Sequence, residues 1–383
     1  MVCVNFDPLN LNAGGEMSHN GFHEKGFAES TRTKLEFYRG LLRGWLPVFM
    51  NTPQRFTTIQ VYDFFSGPGT DSDGNDGSPM IAIKEIQSAI ETNKERMSTN
   101  LRIRLILNDN DKHKVERLRE KVSLEQFGSV NVSVEVFEQD FSELYEHEKT
   151  RMRQSGTANL VFIDQFGISE VTQDVFSDLA SISATDLIFF TSSAIVNRMK
   201  DHPAITPYIP SLSKVELDEM NGKNVHRILS RSYRKWLPTK GEYFLGDFSL
   251  KYNANVYGLV FGSGHILGIL KFLDVAWKLS STGDANYDID RDNIDEQQPS
   301  LFDEYNRPTK IKDFEFRVRR GILEKHFKTN YDILRFAAEN GMLPHHAKEA
   351  FDSAVKDRLL PKQSLGRFSE CWKKDNKQTL DYG

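Results

Sequence analysis

The chain has 383 residues and a mass of 44.0 kDa, enough to bury a large core and, by length, to make two or three domains. Hydrophobic residues at 39% and charged residues at 27% place it among globular proteins, and a formal net charge of −5 disfavours a chain that coats nucleic acid over its whole surface while leaving room for a local basic patch. No run of about eighteen apolar residues occurs, and MVCVNFDPLNLNAGGEM has no basic region followed by an apolar stretch, so a cytoplasmic protein that neither crosses a membrane nor is secreted is expected.

The two cysteines, Cys3 and Cys371, lie near opposite ends, so they build neither a disulfide framework nor a C-x-x-C knuckle. Any zinc or iron–sulfur chemistry would come from a partner. Residues 1 to 28 read as a polar lead without periodicity. From Ser30, STRTKLEFYRGLLRGWLPVF puts Leu35, Tyr38, Leu41, Leu42, Trp45 and Leu46 on one helical face, with Ser30 or Thr31 as its cap and Pro47 disturbing its end.

Apolar runs of strand length follow: TIQVYDFF, RIRLILND, VNVSVEVFEQD, NLVFIDQF and DLIFFTSS. Helical segments separate them, among them MIAIKEIQSAIETNKERM, DKHKVERLREKV and VTQDVFSDLASI. Buried strands alternating with helices predict an α/β, Rossmann-like, mainly parallel sheet. DFSLKYN and VYGLVFGSG are too close together for a crossover, so they form an antiparallel terminal hairpin. Between the fifth strand and that hairpin, residues 194 to 246 read as a helical insertion, which closes the main domain at residues 29 to 280. Residues 281 to 308 read as an acidic linker.

The chemistry gathers at strand ends. DFFSGPGTDSDGNDGSP carries Asp63, Gly67 and Gly69 where the first strand of a doubly wound sheet turns into its helix, at the edge where ligands bind. Asp71, Asp73 and Asp76 beside a pyrophosphate would repel it by about a kcal/mol or more each at an effective dielectric near 20, which disfavours a dinucleotide. The same loop fails as a calcium site, because Asp76 stands where an EF-hand needs glycine and Ala82 where it needs a bidentate Glu. S-adenosylmethionine (SAM) brings a sulfonium, an ammonium and no phosphate, and suits such a loop. Asp109 would then accept from its ribose hydroxyls and Asp140 from its adenine amine, while Asp164 with Phe166 would face the methyl acceptor.

TRTKLE, DFFSGPG followed by DGSP, FIDQFG, and FGSGHILGILKFLDVAWKLSSTGDANYD, in that order over residues 25 to 280, are similar to the hallmarks of the three-Cys-motif partner family of bacterial proteins. The resemblance implies a methyltransferase-like Rossmann fold and a partner that carries the family's cysteine triplet. One departure stands out. Relatives often have Asp-Pro-Phe-Gly where this chain has Asp164, Gln165, Phe166 and Gly167, so the proline that stiffens the loop in amino-methyltransferases is missing. His265, after a glycine turn, reads as lying on the hairpin strand, either as a base near the site or as a packing and turn residue, with Lys271 beyond it. Thr31 and Lys34 on the first helix match the family pattern and could close over the pocket, although a basic side chain there is ordinarily part of a solvated face.

Residues 309 to 383 offer a helix from Asn330 to Glu339, a turn at Asn340 and Gly341, a second helix from Pro344 to Lys356 and a short strand near Leu359, which together predict a winged-helix-like unit. Lys310, Lys312, Arg317, Arg319, Arg320, Lys325 and Lys328 lie among Phe314, Phe316 and Phe327, a candidate DNA or RNA footprint, while the nearly neutral helix PHHAKEAFDSAVKDR suits protein docking equally well. Three readings follow: a SAM-dependent methyltransferase acting on nucleic acid or a nucleic-acid-linked substrate, needing no metal; a non-catalytic methyltransferase-like module that recruits a three-cysteine, radical-SAM-like partner; and a magnesium nuclease built on the clustered Asp residues with Lys271 close by.

Overall fold

The structure is a computed structural model that describes residues 29–127, 131–165, 168–192, 196, 209, 212–219, 225–237, 241–252, 255–281, 283, 285 and 309–383. Seven strands form one sheet: β1 (Thr58–Asp63), β2 (Arg102–Asn108), β3 (Asn131–Phe137), β4 (Thr157–Ile163), β5 (Thr185–Ser192), β6 (Phe244–Tyr252) and β7 (Asn255–Ser263). Their order is β3-β2-β1-β4-β5-β7-β6. The first five run parallel, and β7 is antiparallel to both β5 and β6. This is a Rossmann-like, mainly parallel sheet with a terminal antiparallel hairpin, as the strand spacing predicts.

Alternation along the strands explains the two cores. Ile59 and Val61 face one cluster and Tyr62 the other, because neighbouring side chains leave a sheet on opposite sides. The first core is closed by α1 (Glu29–Met50), α2 (Ser78–Asn93) and α8 (Ile266–Leu279). The second is closed by α4 (Phe141–Met152), α5 (Gln173–Ser181) and α7 (Val225–Ser232). Between them in sequence are α3 (Lys112–Val122) and α6 (Lys214–Glu219). The helix α1 begins at Glu29 and runs through Pro47 to Met50, at the loss of the one intrahelical hydrogen bond that Pro47 has no N–H to make. Leu35, Tyr38, Leu41, Leu42, Trp45 and Leu46 are all buried, as their spacing predicts.

Trp45 also anchors the sheet. Its indole N–H donates to the buried Asp186 at 2.7 Å, and Asp186, at the start of β5, is held up to about 6 by burial against hydrogen bonds from Ser263 and Trp45. Trp45→Phe removes one donor from a buried carboxyl and is expected to destabilise the fold by roughly 1–3 kcal/mol in urea titration. A midpoint equal to that of the parent protein would contradict this role.

The C-terminal region holds α9 (Thr309–Leu323), α10 (Asn330–Glu339) and α11 (Pro344–Lys356). Thr329 and Asp332 form a reciprocal capping box at the start of α10, and Gly341 takes φ +70° in the expected turn. The strand expected near Leu359 does not form: Arg358 adopts φ +61° and Pro361 lacks the N–H a ladder needs. Two short 3₁₀ turns and an isolated Thr329–Thr379 bridge follow instead, so the wing is absent among the described residues. These helices dock on the sheet domain. The Trp277 indole of α8 donates to Gly341 O at 2.9 Å, and the Tyr331 hydroxyl donates to Glu242 at 2.8 Å. Among the described residues no helix is long and apolar enough to cross a membrane.

Candidate functional site

The parallel register brings the ends of β1, β2 and β4 level: Asp63 lies opposite Leu107 on one side and Phe162 on the other. Asp109 and Asp164 follow two residues beyond those partners. The turn after β1 is fixed by side chains as well as backbone. Ser66 donates its hydroxyl to Asp63 O at 2.9 Å and its amide to Asn108 O at 2.7 Å. Asn108 donates to Phe64 O and Gln139 O at 3.2 and 2.9 Å, tying the exits of β1, β2 and β3 together. Gly67 takes φ +62° and donates its amide to Asp109 at 3.0 Å; Gly69 takes φ +91° and accepts from Gly77 N at 2.7 Å. The glycines therefore serve the left-handed backbone of a turn that ends at α2, whose start carries no side-chain cap.

Asp63 is fully buried. One carboxylate oxygen accepts from Phe65 N at 3.3 Å and the other, Oδ2, has no partner. Burial pushes this carboxyl up to about 7, the Ser78 hydroxyl and Phe65 amide act against the shift, and the nearby negative charges of Asp164 and Asp109 add to it. Beside it the Tyr38 hydroxyl on α1 is also buried without a partner, its ring stacked on Phe162 at 4.3 Å, and burial together with Asp63 holds it well above the usual phenol range. Two buried polar atoms without hydrogen bonds at one strand end is a costly arrangement that a polar ligand would relieve.

The neighbouring carboxylates are already engaged. Asp109 accepts from Gly67 N and Asp111 N, each at 3.0 Å, and lies 3.5 Å from the Lys114 ammonium. Asp164 pairs with Lys34, which reaches across from α1 and is only 12% exposed. Asp140 is exposed at the first turn of α4 and does not cap it. Phe166 lies outside the described residues. Asp63, Asp109 and Asp164 thus come together at the strand ends.

The remaining acidic residues of the glycine loop do not face the site, which corrects the reading of that loop as a cation-directed cluster. Asp71 turns back on its own loop, accepting from Asp73 N at 3.0 Å and from Asn75 N at 2.8 Å, as Asx turns do. Asp76 pairs with Lys84 at 2.6 Å, and Asp73 points to solvent. Repulsion of a phosphate by these side chains therefore carries no weight; the buried, partnerless Oδ2 of Asp63 does.

The sequence offers Lys34 as a residue over the pocket against the commoner solvated-face reading, and Gln165 only as the loss of a proline. Lys34 belongs with Tyr38, Leu41 and Trp45 on one stripe, at i, i+4, i+7 and i+11, a signal for an inward-facing lysine. Gln165 stands in for the missing proline: buried, it donates to Phe190 O at 3.0 Å and accepts from Glu170 N and Val171 N at 2.8 and 3.3 Å. Three hydrogen bonds hold the loop that a proline ring would have stiffened. No pattern in the sequence signals this substitution of one brace for another.

Other candidates lie elsewhere. His265 is not on the hairpin strand but caps α8, its Nδ1 accepting from Leu267 N at 3.1 Å. Lys271 lies along α1, its Cδ 3.2 Å from where a Cβ on Gly44 would sit, on a helix face and not among the carboxylates. Among the described residues no three His, Cys, Asp or Glu side chains are grouped as metal ligands would be. A depression of about 530 Å³ lined by Arg55, Arg153 and Gly156 opens at the other end of the sheet, where β4 and β5 begin.

Most of the basic C-terminal residues have partners within the chain. Arg319 bonds Ser353 on α11 and Asp357 just past its end, Arg320 pairs with Glu324 at 2.9 Å, and Arg317 lies 3.8 Å from Asp313 and over the Phe336 ring. Lys310 and Lys325 lie over the Trp277 and Tyr382 rings, and Lys312 and Lys328 are exposed. Phe314 and Phe327 belong to the core, while Phe316 is on the surface.

No family model and no curated protein matches the chain. Among solved structures it is similar to EvdMO1, at 11% identity over 67% of this chain and 46% of that one, with a TM-score of 0.29. It is also similar to an Escherichia coli protein assigned as a methyltransferase, at 14% identity over 54% and 78% of the two chains, TM-score 0.25. A mutant of the 16S rRNA (adenine(1408)-N(1))-methyltransferase from Catenulisporales acidiphilia matches at 8% identity over 57% and 90%, TM-score 0.24. The match spans less than half of EvdMO1, and likeness of this degree identifies neither cofactor nor acceptor.

Proposed function

We propose that this chain binds SAM at the ends of β1 and β2 and is a methyltransferase acting on nucleic acid or a nucleic-acid-linked substrate. The observation that carries the reading is the Oδ2 atom of Asp63: fully buried, without a partner, beside a left-handed glycine turn and the uncapped start of α2. A cationic ligand placed there restores the charged form that burial disfavours, and the glycine turn lets it approach the backbone. The residues present fit such a ligand, with Asp63, Gly67, Gly69 and Asp109 as its holders and Asp140 at the outer rim.

Bound SAM supplies an activated methyl group and a good leaving group, so the chain needs to contribute placement above all. Asp164, braced by Gln165 and paired with Lys34, stands on the acceptor side. The basic residues of α9 that remain exposed, Lys312 foremost, would meet a phosphate backbone.

A second reading keeps the cofactor and drops the reaction: a methyltransferase-like module that binds SAM and recruits a three-cysteine partner. The Lys34–Asp164 pair favours it, since the carboxylate nearest the acceptor is already neutralised. Incubation with methyl-tritiated SAM and single- and double-stranded DNA and RNA separates the readings. Label in nucleic acid is expected; SAM binding with no transfer to any of them would leave the recruiting module, and absence of SAM binding would overturn both.

A further inference from the structure

Lys34 and Asp164 form a donor and an acceptor side by side at the end of β4. The ammonium sits between the Asp164 carboxylate and the Phe190 ring, 5.1 Å from its centroid. Asp164 is 22% exposed, and its second oxygen accepts no hydrogen bond among the described residues. Phe190 is half-buried and stacks on Tyr257 at 5.2 Å, so the pair stands against an aromatic wall.

The charge balance excludes several acceptors. A cationic amine would find a carboxylate already neutralised, and it would gain an ion pair only by breaking one. A phosphate or carboxylate would meet Asp164 with Asp63 behind it. A lone hydroxyl can donate to Asp164 and accept from Lys34 through its one oxygen, but it has no flat face to set against the Phe190 ring. A planar group with an N–H beside a lone pair uses both at once: its N–H donates to Asp164 and its lone pair accepts from Lys34. Every nucleobase carries such an edge, and in a duplex that edge is occupied by the opposite strand.

We infer that Lys34 and Asp164 read the pairing edge of an unpaired nucleobase, with Lys34 as a specificity-determining residue. This rests on the assignment of Asp164 to the acceptor side made above. It restricts the substrate to single-stranded or extruded nucleotides, since the same edge in a duplex is out of reach. A primary amide side chain offers the same edge without an aromatic ring, and it is the competing occupant.

The test uses the full chain and fluorescence anisotropy with a labelled single-stranded oligonucleotide, the same sequence as a duplex, an abasic strand of equal length, and a glutamine-rich peptide. The single strand is expected to bind about tenfold tighter than the duplex and the abasic strand at matched salt, the discrimination of one good bidentate pair. Lys34→Met should erase that ratio while SAM affinity, read by calorimetry, stays within about twofold; Asp164→Asn, which keeps size and removes the charge, should erase it too and covers the case in which Lys34→Met fails to fold. Equal binding of single strand, duplex and abasic strand would overturn the inference, as would preference for the peptide. Loss of SAM binding by the parent chain alone would overturn the cofactor reading and leave the base preference to be judged on the oligonucleotides.

Discussion

Gly69→Val should eliminate SAM binding and leave the protein folded. Gly69 sits at φ +91°, where a β-branched residue is strained, and an added Cβ would lie 2.9 Å from the Lys121 side chain and 3.3 Å from Leu118. Lys121 is free to swing away, but Leu118 is part of the first core and the backbone is pinned by Gly77 N. Relief therefore comes from shifting the turn that carries Gly67 and the Asp63 exit. A fall of about a hundredfold or more in affinity is expected, as for a displacement of about an ångström in a positioned site. Gly74→Ala is the control: it lies in the same loop at φ +82° with nothing within 4 Å, so it adds strain without touching the site. Affinity of Gly69→Val within threefold of the parent, or equal losses in the two variants, would contradict the placement.

Asp63→Asn should make the unliganded protein more stable in mild alkali while weakening SAM binding by about tenfold or more. Burial holds the Asp63 carboxyl at about 7, above its ordinary 3.8, so the folded chain keeps a proton that the unfolded chain releases between those values. Stability therefore falls as pH rises through that window and the loss is complete above it. At about 1.4 kcal/mol per pH unit the penalty reaches roughly 4 kcal/mol as an upper bound. The neutral amide has no such penalty, and its oxygen still accepts from Phe65 N. Urea titrations at pH 5 and 8 should show the variant's advantage growing by roughly 2–3 kcal/mol between the two. Lower stability at pH 8 together with unchanged SAM affinity would remove Asp63 from the site.

The strands were legible because their chemistry is local. Runs such as RIRLILN and TANLVFI pack on both faces of a parallel sheet, and the short gap before VYGLVFG admits only a hairpin. The positions of Asp63, Asp109 and Asp164 followed from strand ends alone. What the sequence does not encode is where a side chain turns once the chain is folded. Asp71 and Asp76 look like Asp63 in a string of letters, yet one closes its own turn and the other pairs with Lys84. Lys34 was readable from its stripe with Tyr38 and Trp45, although its partner 130 residues away was not. The expected wing failed for a local reason, since two leucines between Arg358 and Pro361 are too few to make a strand.

Proton-linked calorimetry tests the central claim most directly. SAM is titrated into the protein at pH 7 in phosphate and in Tris, whose ionisation heats differ. If a cation settles against Asp63, the carboxyl ionises on binding, about half a proton is released to the buffer, and the two heats differ accordingly; the difference vanishes in Asp63→Asn. Equal heats in the two buffers for the parent protein, or no binding at all, would contradict the assignment of Asp63 to a cationic cofactor.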